Sequence, residues 1–298
     1  MTGLFVLFAI CAFLPLDPPK LGLKDGDRIV WLGGTLVERE QQYGYWETAL
    51  HAAFPKINFT LRNLGWSGDT VWGESRGRFD YANPNFCFRQ LVDQTLSLKP
   101  TVIFICYGAN ESFAGEAGLP KFEKGLEALL DALKPAKAKI VLFSPIPAEP
   151  PTPMIEWRNK EISRYSSIIQ TTAQKRGIQF ADLYDRGIFL IRARDSFPLS
   201  ANGIHLSENG YRNTTRAFLG ALGLNAKKTD SMDLEPLRTP IVAKNQLFFY
   251  RWRPQNETYL TGFRKHEQGK NAKEVAEFDP LVDKAEKEIE RQRKELFR

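Results

Sequence analysis

Five short, almost wholly apolar runs constrain this chain most: residues 28–33 (RIVWLG), 57–64, 101–107 (TVIFICY), 138–144 (AKIVLFS) and 178–183. A strand with one wet face alternates apolar and polar residues. A run without alternation is buried on both faces. Helical spacing fills the gaps. Residues 43–54 place Trp46, Leu50 and Ala53 on one face, 88–98 place Leu91, Val92 and Leu96, and 122–133 place Leu126, Leu129, Leu130 and Leu133. Residues 156–176 and 207–222 follow the same rule, the latter with Ser207 as N-cap. Strands alternating with helices predict an α/β fold over residues 20–225, a three-layer α/β/α sandwich around a parallel five-stranded sheet.

Outside that unit the pattern changes. Residues 226–278 form an extension, polar as far as 245 like a linker or wrapping segment, then aromatic- and Arg-rich over 247–266. The latter stretch is expected to strap the α/β unit. Residues 279–298 read as a charged C-terminal helix starting at Asp279 or Pro280. At the other end, residues 4–14 (LFVLFAICAFL) are too short to span a bilayer, which takes roughly 20 residues. They suit the core of a signal peptide, so residues 1–19 are expected to be a leader or N-terminal arm. The protein is then exported, periplasmic or extracellular, and cytoplasmic only if the run is not a signal.

Composition narrows the function classes. The formal charge of +6 comes from 41 cations against 35 anions spread along the chain, so no nucleic-acid-binding face is expected. Three cysteines without CxxC spacing and three histidines argue against a disulfide scaffold or a His-rich metal site.

Four motifs stand at or just past strand ends. They are Trp31-Leu32-Gly33-Gly34-Thr35, Asn63-Leu64-Gly65-Trp66-Ser67-Gly68-Asp69-Thr70, Tyr107-Gly108-Ala109-Asn110-Glu111, and a segment from Asn202 through His205 to Tyr211. In an open α/β sheet such residues converge at the carboxyl edge. A hydroxyl on a Gly-Gly turn (Thr35) can attack a carbonyl. A glycine N–H (Gly65) and an Asn amide (Asn110) can donate to an oxyanion, and His205 can serve as general base. Together these are the parts of acyl transfer.

The ordered set resembles the SGNH/GDSL hydrolases, a superfamily of esterases, lipases and carbohydrate deacetylases, over residues 27–223. The resemblance implies a flavodoxin-like sandwich, no metal or organic cofactor, and an oxyanion hole of Gly65, Asn110 and the nucleophile's own N–H. Two positions depart from the family pattern. GDS becomes Gly33-Gly34-Thr35, and DxxH becomes Asn202-x-x-His205, so Thr35, His205 and Asn202 stand where a serine triad would.

Other residues carry two readings each. Trp66 and Trp72 could stack on sugar rings and Arg76 could clamp an acidic group, or all three could pack the loop. Thr35 could cap the next helix, and Ser67 could replace it as nucleophile. Asp69 and Glu111 read as loop-holding carboxylates. The whole chain also keeps two readings: a hydrolase of small-molecule or carbohydrate esters, or a non-catalytic carbohydrate-binding or interaction protein on the same fold. They differ at Thr35 and Asn202.

Overall fold

The computed structural model describes residues 19–77, 83–192, 198–226, 232–255, 257–260 and 262–298. The expected leader at 1–19 lies almost wholly outside them. Five parallel strands, β1 (Asp27–Gly33), β2 (Phe59–Asn63), β3 (Val102–Cys106), β4 (Lys139–Phe143) and β5 (Gln179–Ala181), form one sheet in the order β2-β1-β3-β4-β5. This is the flavodoxin-like order.

The lack of alternation in the strands has its cause in the packing. Ile29 and Trp31 of β1 point to one face, where Trp46 and Phe218 stack at 4.9 Å. Val30 and Leu32 point to the other, among Leu91, Leu126, Leu130 and Ile169. The first face is covered by α1 (Thr35–Tyr43), α2 (Tyr45–Ala53) and, later in the chain, α7 (Glu208–Ala221). The second is covered by α3 (Pro84–Ser97), α4 (Leu119–Ala132) and α5 (Ile155–Arg176). A further helix, α6 (Tyr184–Arg192), follows β5.

The helix expected over 43–54 is α2, and a further helix, α1, precedes it. Gly44, at φ 66°, ends α1 by donating its N–H to Glu40 O at 2.7 Å. A glycine takes that conformation without strain. The buried Glu40 carboxylate then accepts from Trp46 N–H (2.7 Å) and Glu47 N–H (3.1 Å), fastening the start of α2.

From Glu235 on, the segment to 245 is helical. Helix α8 (Glu235–Trp252) begins there, with Pro236 in its first turn, and buries Leu237, Ile241, Lys244, Asn245 and Phe248. After the single turns α9 (Glu257–Leu260) and α10 (Lys265–Gln268), helix α11 (Phe278–Leu296) packs along α8. The pair docks on α1, α2 and β2, with Ile289 joining Leu237 and Ile241. At the centre, Lys244 Nζ donates to Glu47 Oε1 (2.6 Å), Leu61 O (2.9 Å) and Asn245 Oδ1 (2.8 Å), all without solvent access. The docking surface is thus mainly α8 at 235–252, which takes in only residues 247–252 of the aromatic stretch expected to strap the unit. Among the described residues no helix is long and apolar enough to cross a membrane.

Candidate active site

Chain crossings reverse between β1 and β3, which leaves a crevice at their carboxyl ends, the usual ligand position in open α/β sheets. A solvent-open cleft of about 740 Å³ lies there, lined by Thr35, Arg39, Asn110, Phe113, Arg158 and His205 among others. Strand β1 delivers Thr35, β3 delivers Asn110, and the loop before α7 delivers His205.

Thr35 is the first residue of α1, with Gly34 as its N-cap, so Thr35 does not occupy the capping position. Its hydroxyl is free for another task. Oγ1 accepts a hydrogen bond from Gly68 N–H at 3.3 Å. Gly68 stands at φ 73° on the loop after β2, and Asn110 Nδ2 donates to Gly68 O at 2.7 Å. That bond uses one of the two Asn110 amide hydrogens and leaves the other for a ligand.

The model of the GDSL-like lipase/acylhydrolase family matches residues 26–212, which span all four motifs. The chain belongs to this family. Solved structures with the same fold include an acetylxylan esterase from Geobacillus stearothermophilus, 18% identical with a TM-score of 0.56, covering 69% of this chain and 98% of that one. An α/β hydrolase enzyme from the metagenome of Lake Arreo, Spain, is 20% identical with a TM-score of 0.52, over 67% and 97% of the two chains. A gut microbial diltiazem-metabolizing enzyme is 20% identical with a TM-score of 0.52, over 70% of this chain and 49% of the other. Among curated proteins none matches.

In this GDSL-family chain several expected roles move. Gly65 N–H is already engaged by Asn63 Oδ1 at 2.8 Å, which competes with the oxyanion role expected of it. The glycine is needed for space instead, because a Cβ there would meet Glu38 N at 2.3 Å. Asn202 does not orient the His205 ring. Its Oδ1 accepts from the backbone N–H of Ile204 (3.2 Å) and His205 (2.9 Å), closing the turn that carries the histidine.

Trp66, Trp72 and Arg76 line no part of the cleft. Arg76 is fully buried, with Nε on Asp69 Oδ2 (2.8 Å) and its other nitrogens on Gln94 Oε1 and Leu64 O. Trp66 packs edge-on against Trp252 after the extension folds back, and the Arg253 guanidinium lies 3.8 Å over it. Trp72 packs on Phe88. Ser67 turns its hydroxyl to Glu38 Oε1 (2.6 Å), and Glu38 also pairs with Arg253.

Asp69 is held by Arg76, Tyr107 (2.9 Å) and Ser75 N–H. Glu111 accepts from Val71 N–H (2.9 Å) and Gly108 N–H (2.8 Å). Its burial outweighs those bonds and pushes its pKa up to about 7.

Burial and the nearby Arg39 guanidinium both hold the His205 pKa below the ordinary imidazole value of 6.5. The ring is therefore neutral at pH 7, the form a general base requires. Cys106 also lines the cleft, but burial pushes its thiol up to about 12, so it is not a thiolate nucleophile near neutrality. If His205 is the base, the acid limb of the pH–rate profile should fall below pH 6.5, with the rate rising through it and then levelling. A limb above 6.5 in an initial-rate series would assign the titration to another group.

Three cleft features escaped the sequence reading. Gly68, on the loop beside the cleft, is the glycine whose N–H reaches Thr35 Oγ1; both glycines stood in the same motif, and only their turn geometry separates them. Arg39 was legible as the residue four after Thr35, one helical turn along the same face. Arg158 lies far along the chain on α5 and had no local signal.

Proposed function

We propose that the protein hydrolyses esters by acyl transfer through Thr35. The observation that carries this reading is the hydrogen bond from Gly68 N–H to Thr35 Oγ1, which sets a backbone donor beside the attacking atom. Thr35 Oγ1 attacks the ester carbonyl carbon as His205 takes its proton. The tetrahedral oxyanion is met by the Asn110 amide and the first N–H groups of α1, which lack intrahelical partners, while Gly68 N–H stays on the attacking oxygen. His205 returns the proton to the departing alcohol oxygen, leaving an acyl-Thr35 ester. A water deprotonated by His205 then attacks that ester, releasing the acid and restoring Thr35.

The acyl group is proposed to be small and the alcohol a carbohydrate. The neighbouring fold of an acetylxylan esterase supports this, as does Phe113, 54% exposed on the cleft wall, which offers a face to a sugar ring. Export is proposed on the apolar run at 4–14.

The alternative is a binding protein that has lost turnover. It is favoured by the fact that no carboxylate orients His205 among the described residues. In serine proteases, changing the orienting Asp to Asn costs about 10⁴-fold in turnover. Turnover of 4-nitrophenyl acetate separates the readings. Thr35→Ser should keep or raise it, since losing the methyl frees χ1, whereas Thr35→Val should eliminate it. Equal rates for wild type and Thr35→Val would remove Thr35 as nucleophile.

A further inference from the structure

The cleft holds two arginines that form no ion pair with a carboxylate among the described residues. Arg39 sits one turn beyond Thr35 on α1, a rise of roughly 6 Å, and forms no hydrogen bond or ion pair among the described residues while lining the cleft. Arg158 is 2% exposed on the opposite wall, where its Cζ stacks 3.7 Å from the Phe113 ring. Its bonds go to neutral acceptors, Ser112 Oγ (2.6 Å) and Ala109 O (2.6 Å), and its buried Nε has no partner. Glu161, three residues along the same helix, acts on Arg158 only at a distance and is ion-paired with Arg164.

The carboxylates that do line the cleft are already occupied. Asp69 is spent on Arg76 and Tyr107, and Glu111 on two backbone N–H groups. The two departures from the family pattern act in the same direction. Gly34 and Asn202 each stand where that pattern carries an aspartate, so two negative charges are missing near the nucleophile and the base. An unpaired, partly desolvated guanidinium in a low-dielectric cleft is costly unless an anion completes it.

We propose that this cleft is an anion site, and that its natural ligand bears a carboxylate or phosphate within a few bonds of the ester, held by the Arg39 fork with Arg158 adding charge behind it. This rests on the hydrolase reading for the ester, but not for the anion.

Arg39 stabilises the bound anion by charge-assisted hydrogen bonds, so its loss should weaken binding about 10- to 100-fold. The binding test uses succinate and inorganic phosphate, titrated calorimetrically into wild type, Arg39→Gln, Arg39→Lys and His205→Ala, each checked for folding by circular dichroism. Saturable binding is expected in wild type and His205→Ala, lost in Arg39→Gln and partly kept in Arg39→Lys. Tighter succinate assigns a carboxylate, and tighter phosphate assigns a phosphate. Either order sustains the site.

The kinetic test compares 4-nitrophenyl hemisuccinate with 4-nitrophenyl acetate. The ratio of their kcat/KM values should exceed one in wild type and fall at least tenfold in Arg39→Gln. Anion binding without any turnover would end the hydrolase reading and leave the anion site standing. Hydrolysis of the acetate with no binding of either anion, or binding unaltered in Arg39→Gln, would overturn the anion site and leave the hydrolase.

Discussion

The His205→Ala protein should hydrolyse 4-nitrophenyl acetate roughly 10²–10⁴-fold more slowly than wild type, the range that a positioned general base supplies. It should also melt at the wild-type temperature. The two expectations have separate causes. His205 is the one histidine lining the cleft; His51 is buried against Phe59 and His266 is exposed on α10. No described residue hydrogen-bonds the His205 ring, so removing it strands no buried partner. The turn that carries it is held from elsewhere, by Asn202 Oδ1 and by Ser200, whose N–H and hydroxyl both go to Glu149 Oε1. Adding imidazole to His205→Ala should recover part of the rate by filling the vacated space with a free base. A folded variant with undiminished turnover would remove the acyl-transfer mechanism altogether.

Lys244→Met should lower the unfolding free energy by about 3–5 kcal/mol, because it leaves the Glu47 carboxylate buried without its cation. Lys244 is 0% exposed and Glu47 1%, so water cannot substitute for the lost partner. The accompanying change is a loosening of α8 from α2 and β2, since Lys244 also donates to Leu61 O on β2. The double variant Lys244→Met with Glu47→Leu should recover much of the loss, since a buried pair replaced by apolar groups is often near neutral. A single variant that melts like wild type would show that apolar contacts alone seat the extension.

The same pair fixes an acid limit. Burial alone would raise the Glu47 carboxyl, but the Lys244 ammonium and His51 outweigh it and hold the pKa at about 2. A carboxyl depressed in the folded state contributes stability that is complete above its unfolded value, about 4.3 for Glu. That contribution is lost as pH falls toward about 2. Melting temperatures at pH 5 and pH 3 should therefore diverge in wild type and diverge less in the double variant.

The extension also touches the loop beside the cleft. Arg253, just past α8, pairs with Glu38, and Glu38 accepts both the N–H (2.9 Å) and the hydroxyl of Ser67, next to Gly68. Seating α8 thus bears on the loop whose N–H faces Thr35.

The sheet was readable because burial on both faces forces unbroken apolar runs, and the five runs became the five strands. The four motifs were readable because each adjoins a strand end and their order is the order of the chain. Helix α8 was not readable as docked, because its buried face includes Lys244 and Asn245, polar residues whose partner Glu47 lies nearly 200 positions away. For the same reason Arg76 and Trp66 passed for ligand-binding groups: residue type shows what a side chain can bind, while its direction depends on Asp69, Trp252 and Arg253. Gly65 and Gly68 are alike in sequence, and Asn63 decides between them by accepting the N–H of one. Local pattern on its own determined the strands, the fold class and the candidate residue types. Which donors and charges remain free was decided by long-range pairing, because a hydrogen-bonding group is available to a ligand only when no distant partner has claimed it.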